Sequence, residues 1–278
     1  MDSNFLKPED YIEPRCLLCE NPYGVTSDVK PVPQQRIIDK MNDYMSRRDY
    51  AGAEKHLLFW LGEAVLGHDL RGCLLIHNEL VGHYRKTAER EKAFKSAEEA
   101  LALLIKLEMD GTVSAGTTYI NIATAYNAFG ENDKAISLFK KAQAAYESNT
   151  NTAPHLLGGL YNNMGLTYAA MRCFTEAYEY YNKAIEYMAK AENGALEQAI
   201  TYLNTANAVE DEIGMEKGEK RIYELLDKAY ELLDSPSVPR DGYYAFVCEK
   251  CAPTFLYYGY FLAADELKKR SEAIYERN

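Results

Sequence analysis

Four cysteines stand in two short pairs, Cys16-Leu17-Leu18-Cys19 and Cys248-Glu249-Lys250-Cys251, and together supply the four thiolates of a structural zinc site. The pairs begin at opposite ends of the chain. Joining them needs the stretch before residue 33 to reach back, and thirty extended residues span about 100 Å. Cys248 and Cys251 also fall at helical packing positions, where a free thiol acts as a small apolar group. The expectation is therefore no cofactor, with zinc at Cys16, Cys19, Cys248 and Cys251 kept as the alternative. Cys73 and His77 lie one helical turn apart with His83 beyond, and packing accounts for them better than metal binding because no further ligand follows at a usual spacing. No nucleophile elbow, zinc-protease helix or phosphate-binding glycine loop occurs, and acid pairs such as Glu98-Glu99 read as solvated helix faces. No catalytic residue is expected, and the chain reads as a non-enzyme.

The elements that would carry any site emerge from self-comparison. Asn121, Ile122, Ala123 and Tyr126 precede Ala135, Phe139 and Ala142; Asn163, Met164, Gly165 and Tyr168 precede Ala177, Tyr181 and Ala184. Each position recurs after 42 residues. Small residues let two helices approach, and aromatics fill the space between successive hairpins. Looser copies extend the register in both directions. Upstream, Leu80, Val81 and Tyr84 precede Ala93, Ala97 and Ala100, and before them Lys40, Met41 and Tyr44 precede Ala53, Leu57 and Trp60. Downstream, Asn204, Thr205, Ala206 and Val209 precede Ile222, Leu226 and Ala229, after a connection lengthened by Gly214 to Gly218. A sixth copy holds Cys251, Ala252, Phe255, Gly259, Phe261 and Ala264.

This pattern resembles the tetratricopeptide repeat, in the longer form found in kinesin light chains and in bacterial peptide-sensing regulators. The resemblance implies an all-α, right-handed superhelical solenoid of about six hairpins, over 33–68, 72–108, 114–148, 155–191, 196–234 and 241–277, after a Pro-containing arm at 1–32. It also implies a concave groove lined by the first helices.

The register names the groove residues. Asn121, Asn163 and Asn204 share one repeat position, and an Asn amide offers both donors and an acceptor to an extended peptide backbone without regard to its side chains. Asn is also a poor helix former, so its recurrence on one helical face carries a cost. Asn78, Arg85, Asn127, Asn162 and Asn207 are expected to assist. The competing reading is that single asparagines are merely solvated, or that Asn162 and Asn163 tie adjacent hairpins together. The chaperone-type carboxylate clamp is not indicated, because the third and fourth hairpins offer no Lys or Arg beside the Asn.

With 42 acidic and 31 basic residues the net charge is −11, which disfavours phosphate backbones and anionic membrane surfaces. The arm is also too short for the helix-turn-helix that peptide-sensing regulators carry. No 18-residue apolar run and no signal-peptide pattern is present, so the expected place is the cytoplasm. The expected function is a scaffold holding an extended peptide or partner segment in an Asn-lined groove. The alternative is an assembly protein whose groove is filled by its own N-terminal arm, fastened by the four-cysteine zinc site. Tyr243, Tyr244, Phe246, Phe255, Tyr257, Tyr258, Tyr260 and Phe261 exceed what a terminal repeat needs for packing, which points to cover by the arm or by a second subunit in a homo-oligomer.

Overall fold

The computed structural model describes residues 29–277. Among them stand twelve α-helices and no strand: α1 (Gln34–Ser46), α2 (Tyr50–Leu66), α3 (Leu70–Lys86), α4 (Arg90–Lys106), α5 (Val113–Ala128), α6 (Asn132–Glu147), α7 (Pro154–Ala170), α8 (Phe174–Ala189), α9 (Ala195–Ile213), α10 (Met215–Asp234), α11 (Gly242–Tyr257) and α12 (Phe261–Tyr275). Two compact units divide the chain, one ending at Leu107 and one beginning at Glu108. The first holds α1 to α4, each packed on the next. In the second, α5 to α12 pair as hairpins, and the first helices α5, α7, α9 and α11 also lie against one another in that order.

Local chemistry sets the helix ends. Asp49, Asp69, Thr112 and Asp241 cap α2, α3, α5 and α11 by accepting a backbone N–H three residues on, and Pro154 opens α7 where its missing N–H costs nothing. Asp69 also accepts the amide of Val32 at 2.9 Å, which ties the segment before α1 to the start of α3. The hairpin turn between α9 and α10 corrects the expected long connection at 214–218. It is the single residue Gly214, whose φ of 80° is open to glycine, and Gly218 lies inside α10. A side chain at 218 would press on Val209, so the second glycine serves close packing rather than a loop.

Burial follows the repeat register. Ala123, Ala135, Phe139, Ala142, Ala177, Tyr181, Ala184, Ala206, Ile222, Leu226 and Ala229 are all buried, and a Cβ on Gly165 would sit 2.5 Å from the Tyr181 ring. That contact explains why the repeat places its smallest residue opposite its largest. Tyr168 is half-buried and stacks flat on Tyr180, with ring centroids 5.4 Å apart. One expected packing residue departs from the pattern: Phe261 is 66% exposed. It starts α12 off the face carrying Ala264, Leu267, Ser271 and Ile274, which is the face turned to the core.

Candidate functional site

The eight expected groove residues divide between the units. Asn78 is half-buried and Arg85 exposed, both on α3 of the first unit. The other six belong to the second unit, on α5, α7 and α9.

Within that second unit the asparagines are not equivalent. The Asn204 amide donates to Asn162 Oδ1 at 3.0 Å, which bridges α9 and α7. The Asn127 amide donates to the buried Thr167 hydroxyl, which bridges α5 and α7, and Thr167 donates in turn to the Asn163 carbonyl. Asn207 is exposed, and its Oδ1 lies 3.0 Å from the Tyr258 hydroxyl. Four asparagines of this face, Asn127, Asn162, Asn204 and Asn207, therefore have amide groups engaged with a neighbouring hairpin. Asn121, exposed on α5, and Asn163, half-buried on α7, form no side-chain hydrogen bond among the described residues. Spacing in the sequence treats Asn121, Asn163 and Asn204 alike; three-dimensional neighbours separate Asn204 from the other two.

Around these amides the first helices are almost free of charge. Neither α5 nor α7 contains an Asp, Glu, Lys or Arg. Charge returns on α9 as Glu197, Glu210, Asp211 and Glu212, and on α11 as Glu249 and Lys250. Burial raises the Glu197 carboxyl above its usual range, and Lys250 partly offsets it. In the first unit, Glu79 of α3 occupies the repeat position of Asn121, and burial raises its carboxyl too.

The cysteine readings separate in the same way. Cys248 and Cys251 are buried in α11, and burial raises both thiols, Cys251 to about 12. A thiol held protonated this firmly is a poor ligand until a metal displaces its proton. Cys16 and Cys19 lie outside the described residues, as does most of the 1–32 arm. Cys73 is buried, and His77 is half-buried with its imidazole held below the usual range by desolvation. His83, Glu54 and Glu89 do approach one another, with ligand atoms within 4.8 Å. The Lys92 ammonium lies 2.8 Å from Glu54 and 2.5 Å from Glu89 and supplies the cation those carboxylates require. Among the described residues no helix is long and apolar enough to cross a membrane.

Residues that register reasoning did not single out for binding lie on α11. Tyr243, Phe246, Lys250, Pro253 and Tyr257 are all exposed and recur at intervals of three and four, so they form one stripe. The eight aromatics of this hairpin thus divide by role: Tyr244, Phe255 and Tyr258 are core, Tyr260 is half-buried, and Tyr243, Phe246, Tyr257 and Phe261 face outward. Their three-and-four spacing was the available signal.

Comparison with known proteins agrees with the repeat. Residues 72–148 match the tetratricopeptide repeat family. Among solved structures, a kinesin-light-chain-type protein of Podosopora anserina with nearly identical TPR-like repeats is 18% identical, over 72% of this chain and 94% of that one, with a TM-score of 0.50. A single-substitution form of that protein is also 18% identical, over 73% of this chain and 95% of its own, at 0.51. BtubC (BKLC) from P. vanneervenii is 17% identical over 89% of this chain and 92% of that one, at 0.49. No curated protein matches the chain. Residues 72–148 are thus tetratricopeptide repeats, and the chain has the all-α repeat fold seen in the kinesin-light-chain-type structures.

Proposed function

We propose that the protein is a non-catalytic binding scaffold and that its second unit holds an extended peptide along α5, α7 and α9. Tetratricopeptide repeats generally mediate protein–protein interaction. The observation that carries the reading further is the pair Asn121 and Asn163. They share one repeat position on two adjacent first helices, and their amides lack protein partners among the described residues. Each amide can give an N–H and accept one, the pairing an extended backbone needs. Uncharged α5 and α7 suit such a backbone, since no fixed charge demands a complement. Asn127, Asn162 and Asn204 hold α5, α7 and α9 in register through their bonds across these helices and so position the two binding amides.

Replacing Asn121 and Asn163 together with Ala is expected to lower capture of peptides selected on the wild-type protein at least about tenfold, with the thermal midpoint unchanged within about 2 °C. Fluorescence polarisation and a thermal melt measure the two quantities. A double variant that melts much earlier would make these residues structural, and one that binds normally would remove them from the site.

A further inference from the structure

The face formed by α9 and α11 differs from the neutral face beside it. Along α11 the exposed stripe runs from Tyr243 to Tyr257, about 21 Å at the helical rise, which is room for about six extended residues. Tyr257 is 69% exposed and Leu256 54%, and Tyr243 and Phe246 stack with centroids 6.2 Å apart. Apart from Lys250, whose ammonium lies 5.3 Å from the Phe246 ring centroid, the stripe is aromatic and apolar, and core packing does not explain its exposure.

Its border is acidic. The Tyr243 hydroxyl donates to Glu197, and the Tyr257 hydroxyl donates to Glu210 Oε1 at 2.7 Å. The first helices of this unit carry five carboxylates and one ammonium: Glu197, Glu210, Asp211, Glu212 and Glu249 against Lys250. Glu210 and Asp211 form no ion pair among the described residues, and Arg172 donates to the Asp211 carbonyl rather than to its carboxylate. These acids also occupy the last turn of α9, which has no basic residue of its own; the cation at this helix end is Arg172, which reaches the Asp211 carbonyl. The carboxylates of Glu210 and Asp211 themselves have no ion-pair partner among the described residues, so a further positive charge complements them. A guanidinium suits the place better than an ammonium, since it can pair with the carboxylates through its planar fork and lie over the open ring of Tyr257.

We propose that the α9–α11 face takes a peptide segment that is apolar and basic, with apolar side chains against Phe246 and Leu256 and an Arg side chain at Glu210, Asp211 and Tyr257. This rests on the groove reading above, because the same peptide would run on from Asn121 and Asn163.

The test is selection of random nine-residue peptides displayed on phage against the full chain. Enriched peptides are expected to carry Arg beside aliphatic or aromatic residues. A synthetic representative is expected to bind at least about tenfold more tightly than its Arg→Glu counterpart in low salt, and a Glu210→Gln/Asp211→Asn variant is expected to erase that difference. The amide introduced at position 210 could still accept the tyrosine hydroxyls, so an unchanged melt shows that the variant folds. Enrichment of acidic or uncharged peptides, with capture still lost in the Asn121→Ala/Asn163→Ala protein, would overturn the basic preference and leave the groove standing. Selection that enriches no peptide would remove both. A dimer in light scattering that dissociates on Phe246→Ala would assign the stripe to a second copy and also overturn the proposal.

Discussion

Helix α3 in the first unit and helix α7 in the second are built on one packing register and present opposite chemistry. On α3, Leu80, Val81 and Tyr84 are buried, while Arg71, Arg85 and Lys86 are exposed and Glu79 is half-buried. On α7, Met164 and Gly165 are buried, Tyr168 is half-buried, and the helix has no Asp, Glu, Lys or Arg. The difference shows that the repeat constrains only the inward positions. What a first helix offers a partner is written in the positions between them, and each unit writes it independently.

The largest effect separating the two helices is expected at their glycines. Gly165 faces Tyr181, whereas no atom of the described residues lies within 4 Å of a Cβ placed on Gly82 of α3. Gly165→Val is expected to destabilise by about 3 kcal/mol through overpacking, and Gly82→Ala to stabilise by about 0.5–1 kcal/mol through helix propensity. Urea unfolding of the two variants measures this, and equal shifts would break the comparison.

A smaller effect should divide the asparagines themselves. Asn127→Ala removes the donor to Thr167, and Asn162→Ala the acceptor for Asn204. Each is expected to cost about 1 kcal/mol, in contrast to Asn121→Ala and Asn163→Ala, which break no side-chain bond among the described residues. Denaturant midpoints of the four single variants test the division, and a uniform result would return all of them to one class.

The smallest effect is one of pH, and it belongs to the first unit. Burial holds the imidazoles of His77 and His83 below their ordinary 6.5. The unfolded chain therefore takes up their protons first as pH falls. Stability is expected to decline from about pH 7 through the unfolded value and to level off below the folded ones. The described part of the second unit has a single histidine, the exposed His155. Hydrogen-exchange protection, corrected for the pH dependence of the intrinsic rate, should therefore fall in α3 below the unfolded histidine value and not in α7. A His77→Gln/His83→Gln variant should lose the difference, and its persistence would assign the pH dependence to other groups.

The sequence alone carried the repeat, because close packing of a small residue against an aromatic leaves a signature in residue type: Gly165 with Tyr181, and Ala123 with Tyr126, Ala135 and Phe139. It also carried which positions face away from that packing, including Asn121 and Asn163. It misjudged Gly214–Gly218, since glycine in a turn and glycine under a neighbouring side chain look alike until the neighbour is known. Tertiary structure decided which asparagines are held and which are open, because Asn162 meets Asn204, and Asn127 meets Thr167, across 40 or more residues. It also decided which aromatics of α11 are core and which form a stripe beside Glu210. Hydrogen bonds and burial depend on what the next hairpin brings alongside, and spacing within one hairpin does not contain that.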